Sequence, residues 1–193
     1  ELMPGSPRWC STGLFTIKDG TEARSLLLDG EVLTPLDLHV RSIVGLIPTG
    51  ADDTANADDT AAADAVLVTA WTEPTEQHPV VVPLPGSDRE LLTLTTEPGV
   101  HNGVLSGSTL VTTTAGPDHA GSRVAVHDLG PSLSLDADGV GITDHSADPG
   151  FAADPFFCTL GQDQLASAVF LPSDHNGSDP LPVLLDPYGG PHA

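Results

Sequence analysis

Leu181-Pro182-Val183-Leu184-Leu185-Asp186-Pro187-Tyr188-Gly189-Gly190-Pro191-His192-Ala193 is the stretch around which the rest of the chain makes sense. Val183 to Leu185 is a short apolar run without alternation, the pattern of a strand buried on both faces in a sheet covered by helices. Asp186-Pro187 and Gly189-Gly190-Pro191 then stop it: proline fixes φ and removes a donor, and paired glycines open backbone conformations closed to other residues. The chain's single tyrosine, Tyr188, stands in that turn.

An apolar strand running into a glycine-rich loop is where α/β-hydrolases place oxyanion-hole donors from outside the nucleophile elbow. Leu184, Leu185, Asp186, Tyr188, Gly189, Gly190 and Pro191 match the Leu-Leu-Asp-x-Tyr-[Ala/Gly]-Gly-Pro pattern of the dipeptidyl peptidase IV branch, and here the sequence resembles the prolyl oligopeptidase superfamily of serine peptidases. In that family the tyrosine hydroxyl donates to the tetrahedral oxyanion. The resemblance therefore implies that role for Tyr188, with Gly189 and Gly190 shaping the loop. On the residues alone, the alternative is a buried tyrosine capping a strand-to-loop turn. The family's Ser, Asp and His triad follows the loop in that order, so the resemblance places no triad member in this chain and the chain alone is expected to be inactive. The implied reaction is hydrolysis of peptide bonds near a free amino terminus through an acyl-enzyme, with a peptide as substrate and no cofactor. The resemblance leaves room for homo-oligomers through the parent protein, without fixing an oligomeric state. Glu1 in place of methionine, and a stop inside the motif, predict a fragment of a longer protein.

The net charge of −21, from 27 acidic and 6 basic residues, argues against nucleic-acid binding, which needs a positive patch to displace counterions. It also disfavours anionic membranes, and no apolar run has the length of a bilayer span. Cys10 and Cys158 lack metal or redox spacing and read as a reduced, buried pair. That leaves the compartment open and leans toward the cytoplasm over secretion. Asn176-Gly177-Ser178 fits a glycosylation sequon and also a simple turn.

From Ser11 to about His127 the pattern is short β-prone runs between turn signals. Leu14 to Ile17, Asp19-Gly20, Ser25 to Leu28 and Asp29-Gly30 read as a type I′ hairpin followed by a second turn. Leu36 to Val40, Ile43 to Ile47, Val66 to Trp71, Pro79 to Val82, Leu91 to Thr95, Thr109 to Thr114 and Arg123 to His127 continue the meander. A spacing of roughly 40 residues per four strands predicts a mainly β fold, a partial β-propeller of about three blades over residues 1–150. Residues 136–154, rich in Asp, Gly, Ser and Pro, read as a linker or loose blade edge. Phe156 to Leu160 and Leu165 to Leu171 read as the hairpin opening residues 151–193, the first strands of a truncated α/β-hydrolase domain.

Other constellations carry less. Asp52, Asp53, Asp58, Asp59 and Asp64 are oxygen ligands, but the block lacks the ladder, glycine and closing glutamate of a calcium loop and reads as a solvated, mobile insertion. His39, His78, His101, His119, His127, His145, His175 and His192 form no metal-ligand spacing and read as surface or strand-turn residues, so no metal is expected. Gly103-Val104-Leu105-Ser106-Gly107 sets its serine one place late for a nucleophile elbow, which makes Ser106 a turn residue. Glu73 and Glu76 beside His78 read as solvated charges on a loop, and Trp9 and Trp71 as core or inter-blade packing ahead of a ligand platform. The rival functional reading is a non-catalytic β-rich binding or adhesion module in which Tyr-Gly-Gly-Pro is only a turn.

Overall fold

The computed structural model describes residues 6–48, 63–117, 119–130, 132–135, 139–147, 150 and 154–187. The chain forms two compact units, Glu1–Ala153 and Asp154–Ala193. Among the described residues there is no helix, and every sheet is antiparallel and open.

Among its described residues the first unit holds three four-stranded meanders. β1 (Arg8–Cys10), β2 (Gly13–Asp19), β3 (Arg24–Leu28) and β4 (Glu31–Val32) make the first sheet in that order. The type I′ signal belongs to Asp29-Gly30, which joins β3 to β4 with φ of 49° and 91°; both central residues of that turn need positive φ. Asp29 suits it further, because its Oδ1 accepts the Leu14 N–H at 2.9 Å and ties the turn to β2. Asp19-Gly20 opens a longer loop, closed by Gly20 N–H donating to the Ala23 carbonyl at 2.8 Å.

β5 (His39–Pro48), β6 (Ala63–Trp71), β7 (His78–Pro83) and β8 (Leu92–Thr93) make the second sheet. The two apolar runs flanking Arg41 are one strand, because register shifts against β6 let extra residues bulge out without ending the pairing. β9 (Val100–Ser106), β10 (Thr109–Ala115), β11 (Arg123–Asp128) and β12 (Val140–Ile142) make the third. β12 lies inside the stretch read from composition as a linker or blade edge, and it pairs with β11 through Val124, Ala125 and Val126.

The sheets stack in chain order because β6 is apolar on both faces. Val66, Val68 and Ala70 pack with Phe15, Ile17, Leu26 and Leu28 of the first sheet. Ala65 and Leu67, on the opposite face by the two-residue period, pack with Ile47, Val81 and Leu110 toward the third. An unalternating apolar strand is what burial on both faces demands. The outer face of the third sheet is largely apolar. Val104, Val111, Val126 and Val140 lie in register across the third sheet, on the face opposite Leu110 and Thr112, with Val104 70% and Val140 72% exposed. Trp9, expected to pack in the core or between blades, is 67% exposed on the edge strand β1, beyond which no further strand pairs among the described residues.

The second unit contains a hairpin, β13 (Phe156–Leu160) and β14 (Leu165–Val169), in register from Phe156↔Val169 to Leu160↔Leu165. Its turn is held by Gln164 Nε2 donating to the Gly161 carbonyl at 3.1 Å. Val183 to Leu185, expected as a buried strand, is instead unpaired, with Leu184 93% exposed. A strand exists only where a neighbour accepts its N–H and C=O groups, and no described strand lies beside this one.

Candidate functional site

Tyr188, Gly189 and Gly190, the residues the sequence singles out for catalysis, lie outside the described residues, as does Pro191. The segment leading to them, through Leu184, Leu185 and Asp186, is exposed and in no strand. Residues 49–62, with most of the acidic block, also lie outside. Asp64 is described: it sits in β6, its Oδ2 accepts from Arg89 Nε at 2.9 Å, and its Oδ1 is buried without a hydrogen-bond partner among the described residues.

The structure brings together a polar cluster that sequence reasoning assigned to solvent. Gln77, just before β7, and His101, in β9, join the second sheet to the third: Gln77 N–H donates to the Gly99 carbonyl at 2.9 Å and His101 N–H to the Gln77 carbonyl at 2.8 Å. Gln77 Nε2 adds a bond to Asn102 Oδ1 at 2.7 Å. Above these bonds the rings of His78 and His101 stack, centroids 5.2 Å apart and 19° from parallel. His101 is 3% exposed.

Donor and acceptor roles follow from the partners. A carbonyl only accepts, so Nε2 of His101, 2.8 Å from the Glu97 carbonyl, carries the proton, and in the neutral ring Thr114 Oγ1 donates to Nδ1 at 2.9 Å. His78 repeats the arrangement, with Nε2 toward Glu76 Oε2 at 3.0 Å and Nδ1 toward Thr95 Oγ1 at 2.8 Å. Glu76 and His78 are thus half-buried partners rather than solvated charges. The burial has a local cause: β9 turns His101, Gly103 and Leu105 inward by alternation, and Gly103 has no side chain to hold the sheets apart. That alternation is the sequence signal that marks His101 as inward.

The remaining flagged residues do not converge. His39 stacks on Trp71 at 5.6 Å. His127 Nε2 meets Thr112 Oγ1 at 3.1 Å, and Gly139 passes so close to the ring that a Cβ there would overlap it. Ser106 ends β9 beside Gly107, whose φ of 58° makes the two-residue turn into β10. Among the described residues no three His, Cys, Asp or Glu side chains are placed to hold a metal ion. Neither Cys10 nor Cys158 is in a disulfide. The cluster's polar groups meet protein partners, and the Gln77 bonds and the ring stack join the two sheets, which is structural chemistry.

No protein-family model matches the chain, and no curated protein does.

Proposed function

We propose that this chain is part of a serine peptidase of the dipeptidyl peptidase IV type, forming consecutive blades of its β-propeller and the entry to its α/β-hydrolase domain. The observation that carries the reading is the architecture around the Leu-Leu-Asp-Pro-Tyr-Gly-Gly-Pro motif. Three four-stranded meanders stack in chain order, as successive propeller blades do, and a separate unit with a hairpin follows and leads to the motif. The apolar outer face of the third sheet supports it, because a blade presents such a face to its neighbour around the ring.

In this reading Tyr188 donates to the oxyanion while a serine nucleophile, activated by histidine, attacks the scissile carbonyl. Negative charge builds on that oxygen in the transition state, so a fixed hydroxyl donor lowers the barrier more than it strengthens ground-state binding. Pro187 and Pro191 stiffen the loop that presents it.

The test is Tyr188→Phe in the complete protein, assayed with a proline-linked chromogenic dipeptide. A donor's loss lowers kcat by about 10²- to 10³-fold with KM and stability little changed. A kcat within a factor of a few of wild type rejects the role. The 193-residue chain by itself is expected to turn over no such substrate, and activity that persists through purification overturns the assignment.

A further inference from the structure

The chain contains two Asn-Gly pairs, Asn102-Gly103 and Asn176-Gly177, and the fold treats them oppositely. We propose that Asn176 is a self-modifying site, converting to aspartate and isoaspartate in the folded protein, and that Asn102 is protected.

The reaction needs only water. The Gly177 backbone nitrogen attacks Cγ of Asn176 to form the new N–Cγ bond. The Cγ–Nδ2 bond breaks and ammonia leaves, taking up the proton lost by the attacking nitrogen. The resulting cyclic imide is opened by water at either carbonyl, giving an α- or a β-linked carboxylate. No oxidant or reductant takes part.

Three features of the Asn176 site favour it. The side chain is exposed, in a segment outside any strand, so water and base reach it. Gly177, at φ 78°, presents no Cβ to hinder ring closure. Ser178 directs two donors at one oxygen: its backbone N–H, 3.0 Å away, and its hydroxyl both point to Asn176 Oδ1. An N–H only donates, which fixes that atom as the carbonyl oxygen. It is also the atom on which negative charge develops when Cγ becomes tetrahedral, so the two donors stabilise the addition step as an oxyanion hole does.

Asn102 has the same dipeptide and none of these freedoms. Asn102 and Gly103 are paired with Thr113 and Thr112 in the ladder to β10, which holds the backbone extended and opposes the approach of the glycine nitrogen to Cγ. Its Oδ1 is held by Gln77 Nε2, which anchors the side chain across to the second sheet.

The experiment incubates the purified chain in mildly alkaline buffer and follows both tryptic peptides by mass spectrometry, with isoaspartate resolved by chromatography. Asn176 should convert at least about tenfold faster than Asn102 in the folded chain, and the two rates should converge in denaturant. Ser178→Ala should slow conversion several-fold in the folded chain, and Gly177→Ala more strongly. These substitutions lie in the exposed connection, so folding is not at stake. Equal rates at the two sites in the native chain, an inert Asn176, or a Ser178→Ala rate equal to wild type would overturn the proposal.

Discussion

Leu67→Ala is the sharpest test of the stacked arrangement. Leu67 is fully buried in β6, on the face that packs toward the third sheet with Ile47, Val81 and Leu110. The change removes three carbons, worth about 2.4 kcal/mol at ~0.8 kcal/mol per buried CH₂. The neighbours belong to two sheets held by their own ladders and cannot close fully over the gap. A cavity term therefore adds to the transfer term, for a total of about 3–4 kcal/mol. At this chain length that lowers Tm by about 6–16 °C. The assay is urea or thermal unfolding followed by tryptophan fluorescence, because Trp9 and Trp71 are the chain's two tryptophans and both lie in the first unit. Val66→Ala, on the opposite face, removes two carbons and should cost about 2–3 kcal/mol. Leu184→Ala, on an exposed residue, should stay within about 0.5 kcal/mol. A Leu67→Ala cost below about 1 kcal/mol, or one no larger than that of Leu184→Ala, would mean that the third sheet does not cover β6.

Three further outcomes follow from local geometry. His101→Leu strands the Thr114 hydroxyl and the Glu97 carbonyl, so it should cost about 1–3 kcal/mol and speed amide exchange at Gln77, the residue bonded across to Gly99; unchanged exchange there would refute the stitching role. Gly30→Ala places a side chain at φ 91° and should cost about 1 kcal/mol in a melting experiment, whereas Gly141→Ala, with open space around its Cβ position, should cost less. The backbone N–H of Ser146, and then its hydroxyl, hold the Asp144 carboxyl below the ordinary aspartate range. A carboxylate depressed in the folded state stabilises above its unfolded pKa and loses that contribution as pH falls through the folded one. Carbon-detected NMR should therefore place the Asp144 midpoint below that of the unfolded chain, and Ser146→Ala, which spares the backbone donor, should raise it only part of the way.

Strands were legible where apolar runs end at turn residues. Phe156–Leu160 is a strand over the expected residues, and Thr109–Ala115 and Arg123–Asp128 each run one residue past their expected ends, because short-range alternation and punctuation suffice to mark a ladder. Val183 to Leu185 shows the limit of that reasoning. Composition reports that a segment would pair well, and says nothing of whether a partner edge stands beside it. The histidine cluster was hidden for a related reason: Gln77 and His101 lie 24 residues apart, and their contact depends on how two sheets stack. The residues first marked for catalysis lie outside the described structure, so their reading still rests on the motif.

The distribution of charge bears on how the exposed apolar face of the third sheet meets another copy. Across the third sheet the valine row and its neighbours Asn102, Thr113, Val124 and Ile142 are uncharged, and Asp128 at the end of β11 sets one negative charge at the rim of the same face, so its centre offers hydrophobic attraction without electrostatic direction. Four strands at about 4.8 Å spacing and roughly 20 Å in length give on the order of 400 Å². That is about half of what each partner contributes to a stable protein interface. The 21 surplus negative charges work against self-association on top of that shortfall, since they repel another copy at every approach. Salt screens that repulsion and leaves the apolar attraction, so whatever association the open face supports grows with ionic strength. A face this size is well matched to a neighbouring sheet on the same polypeptide, where the chain connection supplies the proximity that a separate partner would have to provide through area.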